Sequence, residues 1–138
     1  MSKENEEFDS VYTYTIAGRP ISQKNSKTIV CRGNRPRMIT NNNVRLWKES
    51  AIKQLIEQRE RSGAPVIPRG VEMEVRIISF LDKGQAIDSD NLAAGPLDAM
   101  EKAGIYPNDY WVRCVISDRR KDFNFPRVEI HISKYKET

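Results

Sequence analysis

The alternation of apolar and polar positions predicts six β-strands. The clearest runs over residues 71–80, where Val71, Met73, Val75 and Ile77 alternate with charged residues at its start. A period of two is typical of a strand with one face buried and the other in water. The same reasoning predicts five further strands, at residues 11–16, 28–31, 37–40, 110–116 and 127–132.

Two other segments carry apolar residues at helical spacing. The first predicted helix begins at residues 41–43, whose asparagine oxygens can cap it, and ends near Gly63. The second opens within residues 88–91 and stops at Gly104, and Pro96 can bend it. The predicted order is β-β-β-α-β-α-β-β. We therefore expect an α+β fold, an α/β sandwich in which two main helices cover a mixed β-sheet.

The chain of 138 residues is long enough for one hydrophobic core. Residues 1–10 hold one lysine against four acidic residues and almost no apolar side chain, so we expect a flexible acidic tail before a single domain at residues 11–138. That tail does not resemble a basic and apolar signal peptide, and no apolar run reaches about 18 residues. We expect a cytoplasmic protein without a membrane segment.

Basic residues are concentrated in two blocks, although the net charge is only +4. Residues 19–37 contain six basic residues and no acid, and residues 113–136 contain seven basic residues against three acids. Such blocks suit an enzyme that binds a polyanion. Solvated loops are the alternative interpretation.

Three carboxylates are the candidate metal ligands: Asp88, Asp90 and Asp109. With two distant cysteines and one histidine, a structural zinc site has too few ligands, so any metal would be held by oxygen. Asp88 and Asp90 can project to one side of an extended segment, and Asp109 could approach them if the helix folds back along the sheet. Helix capping and turn formation are the alternatives. Asp98 is a candidate to support the ligands, or else pairs locally.

Several short motifs occur in a fixed order. They are DSDNL at residues 88–92, LDAM at 97–100, KAGI at 102–105, ND at 108–109 and, upstream, the loop PISQKNSK at 20–27. Together they resemble the signature of the RusA family of crossover-junction endodeoxyribonucleases. The resemblance extends from about residue 11 to residue 133.

The resemblance implies a homodimeric, Mg²⁺-dependent nuclease, with Mn²⁺ as a plausible substitute, that resolves Holliday junctions in DNA recombination and repair and is often prophage-borne. The three essential aspartates of the family would fall on Asp88, Asp90 and Asp109. A dimer suits a four-way junction, because paired nicks in opposing strands need two equivalent sites.

The basic blocks would then hold phosphates and make DNA binding sensitive to salt. The candidate DNA contacts are Arg19, Lys24, Asn25, Lys27, Arg32, Arg35, Arg37, Lys83, Lys102, Arg119, Arg120 and Lys121. A mobile loop at Lys24–Lys27 and a solvated turn at Arg119–Lys121 are the alternatives. Tyr106, Tyr110 and Trp111 could stack on an unpaired base, although Trp111 suits the core of a strand.

One position departs from the family. Its best-known member has a catalytic lysine four residues after the second aspartate, where this chain has Ala94. A lysine there would stabilise charge on the phosphate. A lysine from elsewhere (Lys24, Lys83, Lys102 or Lys121) could substitute. The other possibilities at this position are reduced activity or a non-catalytic protein that binds branched DNA. A nuclease of other branched or flapped DNA is a separate alternative to the resolvase.

Overall fold

The part of the chain that the structure describes contains six strands and two long helices in the predicted order. The computed structural model describes residues 12–22, 27–32, 35–40, 42–82, 87 and 90–136, with the backbone alone for 27–32, 35–40 and 90. The elements are β1 Tyr12–Ala17, β2 Lys27–Arg32, β3 Arg35–Thr40, α1 Asn42–Ser62, β4 Met73–Leu81, α2 Asp90–Lys102, a 3₁₀ turn Asp109–Trp111, β5 Val112–Lys121 and β6 Arg127–Lys134. The α+β fold is confirmed. The predicted tail lies outside the described residues.

Four of the strands form one mixed sheet in the order β1-β6-β4-β5. β6 pairs antiparallel with both β1 and β4, whereas β5 pairs parallel with β4. The parallel pair requires α2 to return the chain from the end of β4 to the start of β5. β2 and β3 form a separate antiparallel pair.

The helices pack on one face of the main sheet. The buried side chains of β4 alternate from Met73 through Val75 to Ile77, as the period-two pattern predicts, and β6 contributes every second residue from Val128 to Ile132. α1 adds Ala51 and Leu55 to this core, and α2 adds Ala99 and Met100. Trp47, Ile52 and Ile56 on α1 are partly buried against the same core. Among the described residues, no helix is long and apolar enough to cross a membrane.

Two glutamines of α1 occupy the open edge of β1. Gln58 accepts a hydrogen bond from the Thr15 N–H at 2.9 Å and donates one to the Thr15 carbonyl at 2.6 Å. Gln54 makes the same two contacts with Ala17, at 2.7 and 3.2 Å. Each side-chain amide therefore replaces one residue of a neighbouring strand, which keeps this edge from pairing with another chain.

We expect Gln58→Ala to lower the free energy of unfolding by about 1–2 kcal/mol, because both backbone groups of a half-buried residue lose their partner. Urea denaturation measures the change. Gln54→Ala is the matched control; its contacts are exposed, so water replaces them and the loss should be smaller. An equal loss in both variants would contradict the assignment of Gln58 as the edge cover.

The start and end of β5 differ from the prediction. Asp109 begins the 3₁₀ turn and not a strand, because the Asn108 side chain accepts a hydrogen bond from the Tyr110 N–H at 2.8 Å and caps the turn. Placing Tyr110 and Trp111 in a strand was therefore wrong. At the other end, Arg119–Lys121 lie on β5 and not on a turn, because pairing with β4 continues to Leu81.

Candidate functional site

The start of α2 lies at one end of the strands of the main sheet, the end at which β4 and β5 finish and β6 begins. We call this the upper edge; it is bounded by Leu81, Lys121 and Arg127. The Arg119 guanidinium on β5 donates to the carbonyl of Ile87 at 2.9 Å, just before α2. This contact fixes the approach to α2 beside the end of β5.

Two of the three predicted ligands, Asp90 and Asp109, lie near opposite ends of α2. Asp90 is the first residue of α2, at the upper edge. Asp88 lies outside the described residues. Asp109 opens the 3₁₀ turn that follows the other end of α2, and the 13 residues of that helix span about 18 Å. α2 does fold back along the sheet, as the prediction required. Because Asp90 is at its start and Asp109 follows its end, this direction separates the two residues.

The chemistry of these residues fits Mg²⁺, which prefers carboxylate oxygens. Among the described side chains, which do not include those of Asp88 and Asp90, no three acidic, histidine or cysteine groups come together as a metal site. Asn108, not Asp109, caps the 3₁₀ turn, and the Asp109 carboxylate is exposed. Asp109 is therefore available to a group outside its own chain.

Tyr106 joins the Asp109 turn to the middle of α2. Its ring is fully buried, and its hydroxyl donates a hydrogen bond to the Leu97 carbonyl at 2.7 Å. Burial raises the pKa of this phenol far above its ordinary value, and the nearby carboxylates of Asp109, Glu101 and Asp98 raise it further. The prediction that Tyr106 could stack on a base was wrong, because its ring is enclosed by the core.

The other two aromatic residues of this segment differ from each other. Trp111 is half-buried and packs against the core, as its alternative interpretation held. Tyr110 is 77% exposed, and its ring meets the Trp111 ring edge-on at 5.1 Å. Tyr110 is thus the one of the three predicted stacking candidates whose ring faces solvent.

Asp98 pairs with lysines from two helices. Its carboxylate lies 3.1 Å from the Lys48 ammonium of α1 and 3.3 Å from the Lys102 ammonium of α2. Partial burial by itself would raise the pKa of Asp98, but the hydrogen bonds from Lys48 and Lys102 outweigh it and lower the pKa. The local pairing that we held open for Asp98 is therefore present.

We expect Asp98→Asn to flatten the pH dependence of stability on the acid side. A lowered pKa in the folded state contributes stability that is complete above the unfolded value of about 3.9 and disappears as pH falls through the lowered pKa. Urea denaturation between about pH 3 and about pH 6 measures this. Glu101→Gln, on the same helix, is the control, and an unchanged slope in Asp98→Asn would contradict the pairing.

Four of the predicted DNA contacts lie at or next to the upper edge. Arg119, Arg120 and Lys121 are exposed at the end of β5, and Arg120 also contacts Asp118 at 3.1 Å. Arg19 follows β1 and pairs with Asp82, directly after β4. The upper edge therefore combines a basic surface with the start of α2.

The remaining predicted contacts are spread more widely. Lys102 lies at the far end of α2, where it binds Asp98. Lys27, Arg32, Arg35 and Arg37 belong to the β2–β3 pair. Lys24, Asn25 and Lys83 lie outside the described residues.

Sequence reasoning missed two groups of residues. Lys48 was treated as an ordinary helix position, although its ion pair with Asp98 links the two helices. Phe123 and Phe125 were also passed over, yet both are more than half exposed beside the upper edge. Two phenylalanines within the polar segment KDFNFP, residues 121–126, were the signal that could have identified them.

The family model for Endodeoxyribonuclease RusA matches residues 17–133 of the 138-residue chain. The match covers almost the whole fold, from the end of β1 to the end of β6. The chain therefore belongs to the RusA family, a family of Holliday junction endonucleases that act on branched DNA. No similar chain is found among curated proteins.

Proposed function

We propose that this protein is a divalent-metal-dependent endodeoxyribonuclease that resolves Holliday junctions by paired symmetric nicks in DNA recombination and repair. The observation that carries the proposal is the family match over residues 17–133, which includes all three candidate aspartates. The basic surface at the upper edge supports it, because a nuclease must hold phosphates beside its site. Action on intracellular DNA implies a cytoplasmic location.

We assign the metal to Asp88, Asp90 and Asp109, with Mg²⁺ as the cofactor and Mn²⁺ as a substitute. A metal held there would supply activation of a water molecule and charge stabilisation of the leaving 3′ oxygen, and hydrolysis of that bond would give a 5′-phosphate and a 3′-hydroxyl. Since α2 lies between Asp90 and Asp109 within one chain, we propose that a second copy supplies one of these carboxylates. The proposed homodimer thus matches the two-fold symmetry of the junction, and it also supplies the full set of aspartates to each site.

If the protein is active, another basic residue takes the role of the family's lysine at the position of Ala94. Of the four substitutes that the sequence offers, Lys121 lies at the upper edge, whereas Lys102 is bound to Asp98 at the other end of α2. We therefore favour Lys121, supported by Arg119 and Arg120, as the source of positive charge near the phosphate. The other two, Lys24 and Lys83, lie outside the described residues.

We expect Asp90→Asn and Asp109→Asn to lose cleavage of a labelled four-way junction by more than about a hundredfold, since even residues behind a metal ligand contribute 10–100-fold. Junction binding should persist because the basic surface is unchanged. Glu57→Gln is the matched control, a carboxylate at an exposed position of α1 outside the proposed ligand set and the basic surface. Cleavage by Asp109→Asn at the wild-type rate would contradict the ligand assignment.

Ala94 favours a second candidate, a protein that binds branched DNA without cutting it. Thermal melting in a Mg²⁺ titration separates the two candidates, because a specific site raises the melting temperature in a saturable way and capping aspartates do not. A comparison of junction, flap and linear duplex substrates then separates a resolvase from a nuclease of other branched DNA.

A further inference from the structure

Phe123 and Phe125 present two aromatic rings to solvent in the connection between β5 and β6. Phe123 is 56% exposed and Phe125 is 53% exposed. Single exposed apolar residues are ordinary, but here two exposed phenylalanines are separated by only one residue. A phenyl ring has no polar group that would require contact with water, so this exposure needs a different reason.

The segment that carries these rings is held firmly. The Asp122 N–H donates to the Leu81 carbonyl at 3.0 Å, which ties the segment to the end of β4. The Asp122 carboxylate accepts hydrogen bonds from the N–H groups of Asn124 and Phe125, both at 3.2 Å. Arg127 binds the same carboxylate at 2.8 Å and the Phe125 carbonyl at 2.9 Å. The backbone that carries the two rings is therefore held in place before any partner binds.

Exposed basic residues lie next to the two rings along the chain, and Arg127, which pairs with Asp122 and Glu129, lies beside Phe125. Arg119, Arg120 and Lys121 precede them on β5 and are exposed. The Arg127 guanidinium lies 5.2 Å from the centre of the Phe125 ring and 3.8 Å from that of Phe80. Because Arg119 also binds Ile87, the rings share the upper edge with the start of α2. Aromatic rings beside a basic groove are the arrangement on which unpaired bases stack while their phosphates are neutralised.

We propose that Phe123 and Phe125 form a stacking platform for unpaired DNA bases at the upper edge, beside the proposed cleavage site. This assignment rests on the proposed function, in that the occupant is the opened strand of branched DNA. The charge around the rings favours DNA over an apolar protein partner. The platform would select branched over fully paired DNA, since a base inside a duplex offers no free face to stack on.

The experiment compares affinities for a four-way junction, a single strand and a linear duplex by fluorescence anisotropy, without divalent metal so that no DNA is cut. Phe123→Ala and Phe125→Ala should each weaken junction and single-strand binding roughly tenfold and leave duplex binding unchanged. The salt dependence should stay the same because no phosphate contact is removed. Phe125→Trp should keep the affinity, since indole also stacks.

Leu46→Ser, at an exposed apolar position of α1, is the matched control and should change neither affinity nor melting temperature. Equal losses on junction and duplex, or no loss on either, would overturn the platform. A change of oligomeric state in the alanine variants would overturn it as well and would assign the rings to a protein interface. Absence of junction binding by the wild-type protein would refute the proposed function itself. Failure of the proposed function can therefore be distinguished from failure of the stacking platform.

Discussion

A dimer that combines one Asp90→Asn chain with one Asp109→Asn chain should nick a four-way junction, although neither variant cuts by itself. If each site takes Asp90 from one copy and Asp109 from the other, one site of this mixed dimer carries both substitutions and the other carries neither. The intact site should nick one strand, without the paired second nick. If both aspartates came from the same chain, each site would be defective and no nick would form.

The reciprocal dimer is the control for this experiment. A wild-type chain paired with an Asp90→Asn, Asp109→Asn double variant has one substituted residue in every shared site and should be inactive. If each site took both aspartates from the same chain, this dimer would instead keep one active site, that of the wild-type chain. Co-expression with two affinity tags yields both dimers. Nicking by the wild-type and double-variant pair, together with inactivity of the other pair, would contradict the shared site.

Tyr106→Ala should lower the free energy of unfolding by about 3–5 kcal/mol, the largest loss of stability that we expect from one substitution near the site. The ring is fully buried between α2 and the Asp109 turn, so truncation leaves a cavity. It also removes the hydrogen bond to Leu97 that joins the turn to the helix. For a protein of ordinary stability this is a large fraction of the total. Chemical denaturation at neutral pH measures it.

Tyr106→Phe separates the two contributions. It keeps the ring and removes only the hydroxyl, so we expect a loss of about 1 kcal/mol. A loss in Tyr106→Phe as large as that in Tyr106→Ala would contradict the cavity as the main cause. Because the raised pKa keeps the folded phenol neutral while the unfolded phenol ionises near pH 10, both losses should stay constant up to about pH 9 and shrink above about pH 10.

Local patterns predicted the fold well. The alternation at Met73–Ile77 and the limits of α1 at Asn42–Ser62 follow from side-chain periodicity and capping, which depend on neighbours in sequence. Pairing depends on distant residues and was not predictable in the same way. The register that extends β5 to Lys121 is set by β4, and the 3₁₀ turn at Asp109 is set by the Asn108 cap.

The candidate site shows the same division. Asp88, Asp90 and Asp109 were found by motif, but their grouping depends on the direction of α2, which only the parallel β4–β5 pair reveals. Asp98 was predicted to serve the ligands or pair locally, and its lysine partner on α1 lies 50 residues away in sequence. Phe123 and Phe125 were missed although the short polar segment around them was a signal of their exposure.

Symmetric nicking of a labelled immobile four-way junction, in Mg²⁺ and beside a linear duplex of the same sequence, tests the central claim most directly. The proposed resolvase should cut two opposing strands of the junction at equivalent positions and leave the duplex intact, and Asp90→Asn should abolish both cuts. Tight binding of the junction with no cut in Mg²⁺ or Mn²⁺ would contradict the account and leave a DNA-binding protein that keeps the fold of a nuclease.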